Sequence, residues 1–105
     1  MKKLEELDLS GTSVESLSPA LQDLPNLKII FARECEHLED VRYLVGLEQL
    51  AHLDLEGCCM LARFPDLSGL KNLKTLNLKG CDSLESSETF KDLQLDELTL
   101  PEHLS

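Results

Sequence analysis

Aromatic residues are scarce in this 105-residue chain, at 4%, with one tyrosine, three phenylalanines and no tryptophan. Any core must therefore be assembled from aliphatic side chains. No apolar run approaches the ~20 residues of a membrane-spanning helix, and charge interrupts the opening MKKLEELDLS at once, so neither a span nor a signal peptide is expected. Positive charge is also short: ten lysines and arginines stand against twenty acids, a formal charge of −10. A phosphate-backbone binder draws its affinity from a basic patch, so nucleic acid is not an expected partner. The motifs of catalysis are missing as well. The chain has no G-x-x-x-x-G-K-S/T loop, no H-E-x-x-H pair, no G-x-S-x-G elbow and no C-x-x-C. No enzyme activity, metal or cofactor is expected. With 42% hydrophobic and 29% charged residues, the length suits one folded domain, residues 1–105, rather than a disordered tail.

What is present is a period. Leu4, Leu27, Leu50 and Leu73 recur every 23 residues, and Leu95 follows after 22. Each opens the same phrase: Leu4-Glu5-Glu6-Leu7-Asp8-Leu9-Ser10-Gly11-Thr12, then Leu27 to Cys35, Leu50 to Cys58 and Leu73 to Cys81. The blocks are 4–26, 27–49, 50–72 and 73–94, with a partial block at 95–105. Apolar residues recur 17 and 20 places after each opening leucine, at Leu21/Leu24, Leu44/Leu47, Leu67/Leu70 and Phe90/Leu93.

These phrases resemble the leucine-rich repeat, L-x-x-L-x-L-x-x-N/C-x-L, over essentially the whole chain. Their style is similar to the Gly-Cys and Gly-Thr repeats of plant intracellular immune receptors and of similar microbial proteins. The first block shows the Gly-Thr form's deletion after the ninth position, with Val14 and Leu17 where the second block has Leu38 and Val41. The resemblance implies a recognition segment of an immune-receptor-like protein or of a microbial effector.

The period itself predicts an α/β right-handed solenoid, or horseshoe. In each phrase the alternation is that of a half-buried strand, with Leu7 and Leu9 inward and Glu6, Asp8 and Ser10 outward. A strand of ~4 residues cannot bury its face alone, so blocks stack at ~4.8 Å into a parallel concave sheet of four to five strands. Residues 19–24 and 41–47 suit short helix or 3₁₀ turns on the convex side. In the third block Pro65 is expected to begin the first turn of a poorer helix.

Stacking places Thr12, Cys35, Cys58 and Cys81 in one column. There they are expected to form a ladder of small donors to carbonyls left unpaired where the chain bends away. Such working thiols suit a reducing compartment, and the cytoplasm is the expected location. A metal site in this column lacks ligand spacing. Cys59 is expected on a surface loop. His37, His52 and His103 share no ligand spacing, and His103, in the ladder position of the last phrase, suggests that the ladder frays there.

The outward columns can be written down: Glu6, Ile29, His52, Thr75, Glu97; then Asp8, Phe31, Asp54, Asn77, Thr99; then Ser10, Arg33, Glu56, Lys79, Pro101. Ile29 and Phe31 break the polar rule, and Arg33 adjoins them. An aliphatic, an aromatic and an arginine together have the composition of a protein-binding hot spot. The expected function is a non-catalytic interaction module with a protein docked on the concave face around Ile29, Phe31 and Arg33, rimmed by Asp8, His52 and Asp54. The alternative is a structural spacer within a longer repeat array. Seven acids against Lys91 over 82–105 place −6 of the charge at one end, while Lys71, Lys74 and Lys79 are too few for nucleic acid. With no capping segment before Leu4 or after Leu104, a fragment of a longer array is expected, or an oligomer paired through uncapped ends.

Overall fold

The computed structural model describes residues 3–105. Five strands, β1 (Glu6–Asp8), β2 (Ile29–Phe31), β3 (His52–Asp54), β4 (Thr75–Asn77) and β5 (Glu97–Thr99), lie in chain order in one open parallel sheet. The register is the repeat itself. Glu6, Ile29, His52, Thr75 and Glu97 pair in sequence across the sheet, as do Asp8, Phe31, Asp54, Asn77 and Thr99. At every step one carbonyl, of Glu5, Lys28, Ala51 or Lys74, accepts two consecutive N–H groups from the next block. The molecule measures 38 × 31 × 18 Å, so it is thin along one axis.

The core is a column of aliphatic side chains behind the sheet. Ile30, Leu53 and Leu76 are at most 1% exposed, while Leu98 in the same column, on the edge strand β5, is 37% exposed. Leu4, Leu7 and Leu9 at the other end are likewise only partly buried. Pro101, expected on the outer face, is buried instead. Past Thr99 the chain turns into a 3₁₀ turn, Glu102–Leu104, and the last outward column does not continue to it.

On the far side, 3₁₀ turns occupy Pro19–Asp23, Arg42–Gly46 and Glu88–Phe90. The first begins on Ser18, whose hydroxyl accepts the Ala20 N–H. The third block departs from expectation: residues 65–69 form no helix, so Pro65 begins none. Asp66 Oδ1 takes the Ser68 N–H at 2.9 Å, a local turn that competes with helical bonding. Phe64 fills the space, meeting Phe90 edge-on with ring centroids 5.2 Å apart.

One backbone position recurs with left-handed geometry after each of the first four strands. Gly11, Gly57 and Gly80 hold φ of 74°, 80° and 78°, and the equivalent residue in the second block is Glu34 at 59°. A side chain there opposes the preceding peptide, at a cost of roughly 1–2 kcal/mol against which glycine's extra chain entropy is offset. Glu34→Gly is therefore expected to raise unfolding stability by about 0.5–1 kcal/mol, read from the urea midpoint at unchanged slope.

Candidate functional site

The outer face of the sheet holds a shallow trough of about 440 Å³, lined by Ile29, Phe31, His52, Asp54, Thr75, Asn77, Glu97 and Thr99 among others. These side chains share the face because residues two apart in a strand point the same way. Ile29 and Phe31 flank buried Ile30 and are half-buried rather than fully exposed.

Folding has a visible use for the residue in Phe31's column, and Phe31 does not supply it. Asp8, Asp54 and Asn77 each turn a side-chain oxygen back onto the N–H two residues on, at Ser10 (2.9 Å), Glu56 (3.1 Å) and Lys79 (3.0 Å). That Asx turn steers the chain out of each strand. Phenylalanine has no such oxygen, so the Arg33 N–H bonds Ser10 Oγ of the preceding block instead, at 3.0 Å. The repeat thus forgoes a local bond at the one place where it presents an aromatic ring. An aspartate or asparagine two residues before the turn is a signal of this bond already present in the sequence, at Asp8, Asp54 and Asn77.

Arg33 lies beside the apolar pair, but its charge is engaged within the chain. Its Nε contacts Asp54 Oδ2 at 3.1 Å and its Nη2 donates to Glu56 Oε1 at 2.7 Å. Asn77 Nδ2 donates to both acids, at 3.2 Å to Asp54 and 3.1 Å to Glu56. The hydrogen bond to Glu56, then the charges of Asp54 and Glu56, hold the guanidinium above its ordinary value. The same bond from Arg33, and then that from Asn77, hold Glu56 below the usual carboxylate range. His52 is also occupied, with Nδ1 2.9 Å from Thr75 Oγ1. Asp8 differs. Its carboxyl is held low chiefly by the Ser10 backbone N–H, and among the described residues no cation pairs with it. Glu6 and Glu97, in the columns but not among the expected site residues, are exposed and likewise lack an ion-pair partner among the described residues.

The ladder column is a series of thiol donors. Cys35 Sγ donates to the Leu9 carbonyl at 3.2 Å, Cys58 to Ala32 at 3.0 Å and Cys81 to Leu55 at 3.2 Å. Thr12 heads the column with Oγ1 3.8 Å from Cys35 Sγ. His103 leaves the series, its Nε2 lying 2.8 Å from the Leu84 carbonyl. Burial pushes the Cys58 thiol up to about 12 and the Cys81 thiol to about 11. Cys59 is half-buried, at 4.0 Å from the Glu36 carbonyl. Among the described residues no group of three or more His, Cys, Asp and Glu side chains is placed to hold a metal ion. No helix among them is long and apolar enough to cross a membrane.

In-register parallel strands, leucine columns and a donor ladder define a leucine-rich-repeat fold. The family model of the leucine-rich repeat matches residues 3–24. The fold is similar to the leucine-rich repeat domain of the type III effector XopL, with a TM-score of 0.78 and 29% identity over 96% of this chain. The chain spans 36% of that domain's length. A comparison with curated protein sequences gives no match. The chain therefore has a leucine-rich-repeat fold, one that typically serves as a non-catalytic protein-interaction module.

Proposed function

We propose that this chain is a non-catalytic interaction module that binds a protein partner on the concave face of its sheet, centred on Phe31 and Ile29. The observation that carries the reading is the missing Asx turn. Asp8, Asp54 and Asn77 stabilise their own turns, whereas the block that presents a ring to solvent leaves that task to Ser10. An aromatic that folding does not require, beside an aliphatic neighbour in a trough, is suited to serve as a buried anchor. Asp8 and His52 flank the anchor, and the Arg33–Asp54–Glu56–Asn77 network gives it a pre-ordered polar border. The setting is a reducing one, the cytoplasm, because Cys35, Cys58 and Cys81 act as S–H donors and oxidation would remove the hydrogen each donates.

Phe31→Asn tests the reading without challenging the fold, since asparagine already makes this turn at Asn77. The variant is expected to keep or raise the thermal midpoint and to weaken partner binding at least ~30-fold, as loss of a hot-spot anchor does. Parallel affinity captures with the original chain and the variant, followed by titration of each captured protein, provide the measurement. Partners retained equally by both would refute the concave-face site.

The exposed Leu98 favours a second reading, in which these blocks are spacers and further repeats stack on β5. Adding one consensus repeat after residue 105 would then raise stability sharply, while the captures would return nothing dependent on Phe31.

A further inference from the structure

We infer that the occupant of this face is a segment carrying two cationic side chains, laid across the strands with an apolar residue just inside the first cation. The inference rests on the proposed concave-face site and adds the chemistry of its partner. Of the acids on the face, Asp54 and Glu56 are satisfied by Arg33 and Asn77. Glu6 and Asp8 on β1 and Glu97 on β5 have no cationic partner among the described residues, which leaves an unpaired carboxylate rim along each outer strand. The first rim adjoins the anchor directly, because Glu6 pairs in register with Ile29 and Asp8 with Phe31. Between the rims lie His52 and Thr75, Asp54 and Asn77, already bonded to one another or to Arg33.

The spacing follows from sheet geometry. Glu6 and Glu97 are four strand steps apart. At ~4.8 Å per step the rims are separated by roughly 19 Å, which an extended segment crosses in about six residues. A lysine or arginine at each end meets a rim, and the apolar side chain beside the first meets Phe31. An acidic segment would instead face two unpaired rims of its own sign.

The test pans a displayed library of random peptides of about twelve residues, twice the span, against the intact chain at low salt. Selected sequences are synthesised and titrated by fluorescence anisotropy. The expected peptides carry Lys or Arg at two places about six residues apart with an apolar residue inside the first. Their affinity is expected to fall about three- to tenfold in the double variant Asp8→Asn, Glu97→Gln, and to fall with added salt. Asparagine at 8 keeps the oxygen that accepts the Ser10 N–H, so the fold is left intact. Neutral or acidic peptides that bind through Phe31, yet ignore the double variant, would overturn the cationic occupant and leave the concave-face site standing. Peptides that bind equally to Phe31→Asn, or a library that enriches nothing, would overturn both.

Discussion

Leu53→Ala is expected to cost about 3–4 kcal/mol of unfolding free energy, whereas the same truncation at Leu98 is expected to cost under ~1 kcal/mol. The two residues occupy one column of the repeat, so chemistry and local backbone are matched and only position differs. Leu53 is 1% exposed, with Ile30 on one side and Leu76 on the other. Removing its isopropyl group leaves a cavity that the stacked blocks cannot close without breaking register. Leu98 has Leu76 on one side only and is 37% exposed, so the space left by its truncation is open to water. Against the ~5–15 kcal/mol that holds a domain of this size, the central loss removes a large fraction of the total. Urea titrations followed by far-UV circular dichroism measure both. Equal losses at the two sites would contradict the stacked, end-exposed core, because that architecture makes burial depend on having neighbours on both sides.

The same dependence on neighbours explains what was legible in the sequence. A 23-residue period assigns each residue a column before any coordinate is known, so the strand register could be written down from Leu4, Leu27, Leu50 and Leu73 alone. The columns place Phe31 and Ile29 beside each other on the outer face for the same reason. Departures occur where a side chain acts across the period or against it. Arg33 was visible as a cation near an apolar pair, but its capture by Asp54 and Glu56 depends on how a long, flexible chain folds over the next strand. A periodic reading does not determine that rotamer. In the third block, Pro65 signalled a helix start, but Asp66 diverted the Ser68 N–H into a local turn. Pro101 followed the outward column in sequence and not in space, because past Thr99 the chain leaves the strand and Pro101 caps the Glu102–Leu104 turn. The rim acids Glu6 and Glu97 were in the columns from the start. Their significance emerges only once the neighbouring acids prove to be satisfied.

The thiol ladder is expected to make this fold lose stability at alkaline pH. The Cys58 and Cys81 thiols lie at about 12 and about 11, against an ordinary value of 9.0, and burial is the main cause in both. Their folded-state values are raised, so the folded chain holds these protons after the unfolded chain has released them. The stabilisation they carry is fully present below pH 9 and is lost as pH climbs through the folded values. At ~1.4 kcal/mol per unit for each thiol, stability is expected to drop on the order of 3–5 kcal/mol between pH 9 and pH 11. Each deprotonation also deletes the S–H that satisfies a carbonyl of the preceding block, at Ala32 and Leu55 respectively. The measurement needs a matched variant that removes one of these thiols alone. Cys58→Thr provides one: threonine already heads the ladder at Thr12 and keeps a hydroxyl donor that does not ionise. With reductant present, urea midpoints from pH 8 upward are expected to fall about half as steeply in Cys58→Thr as in the original chain, since one of the two strongly raised thiols is gone. Identical slopes would mean that the Cys58 proton is not what the folded state protects, and the ladder would then be a packing feature without an electrostatic role.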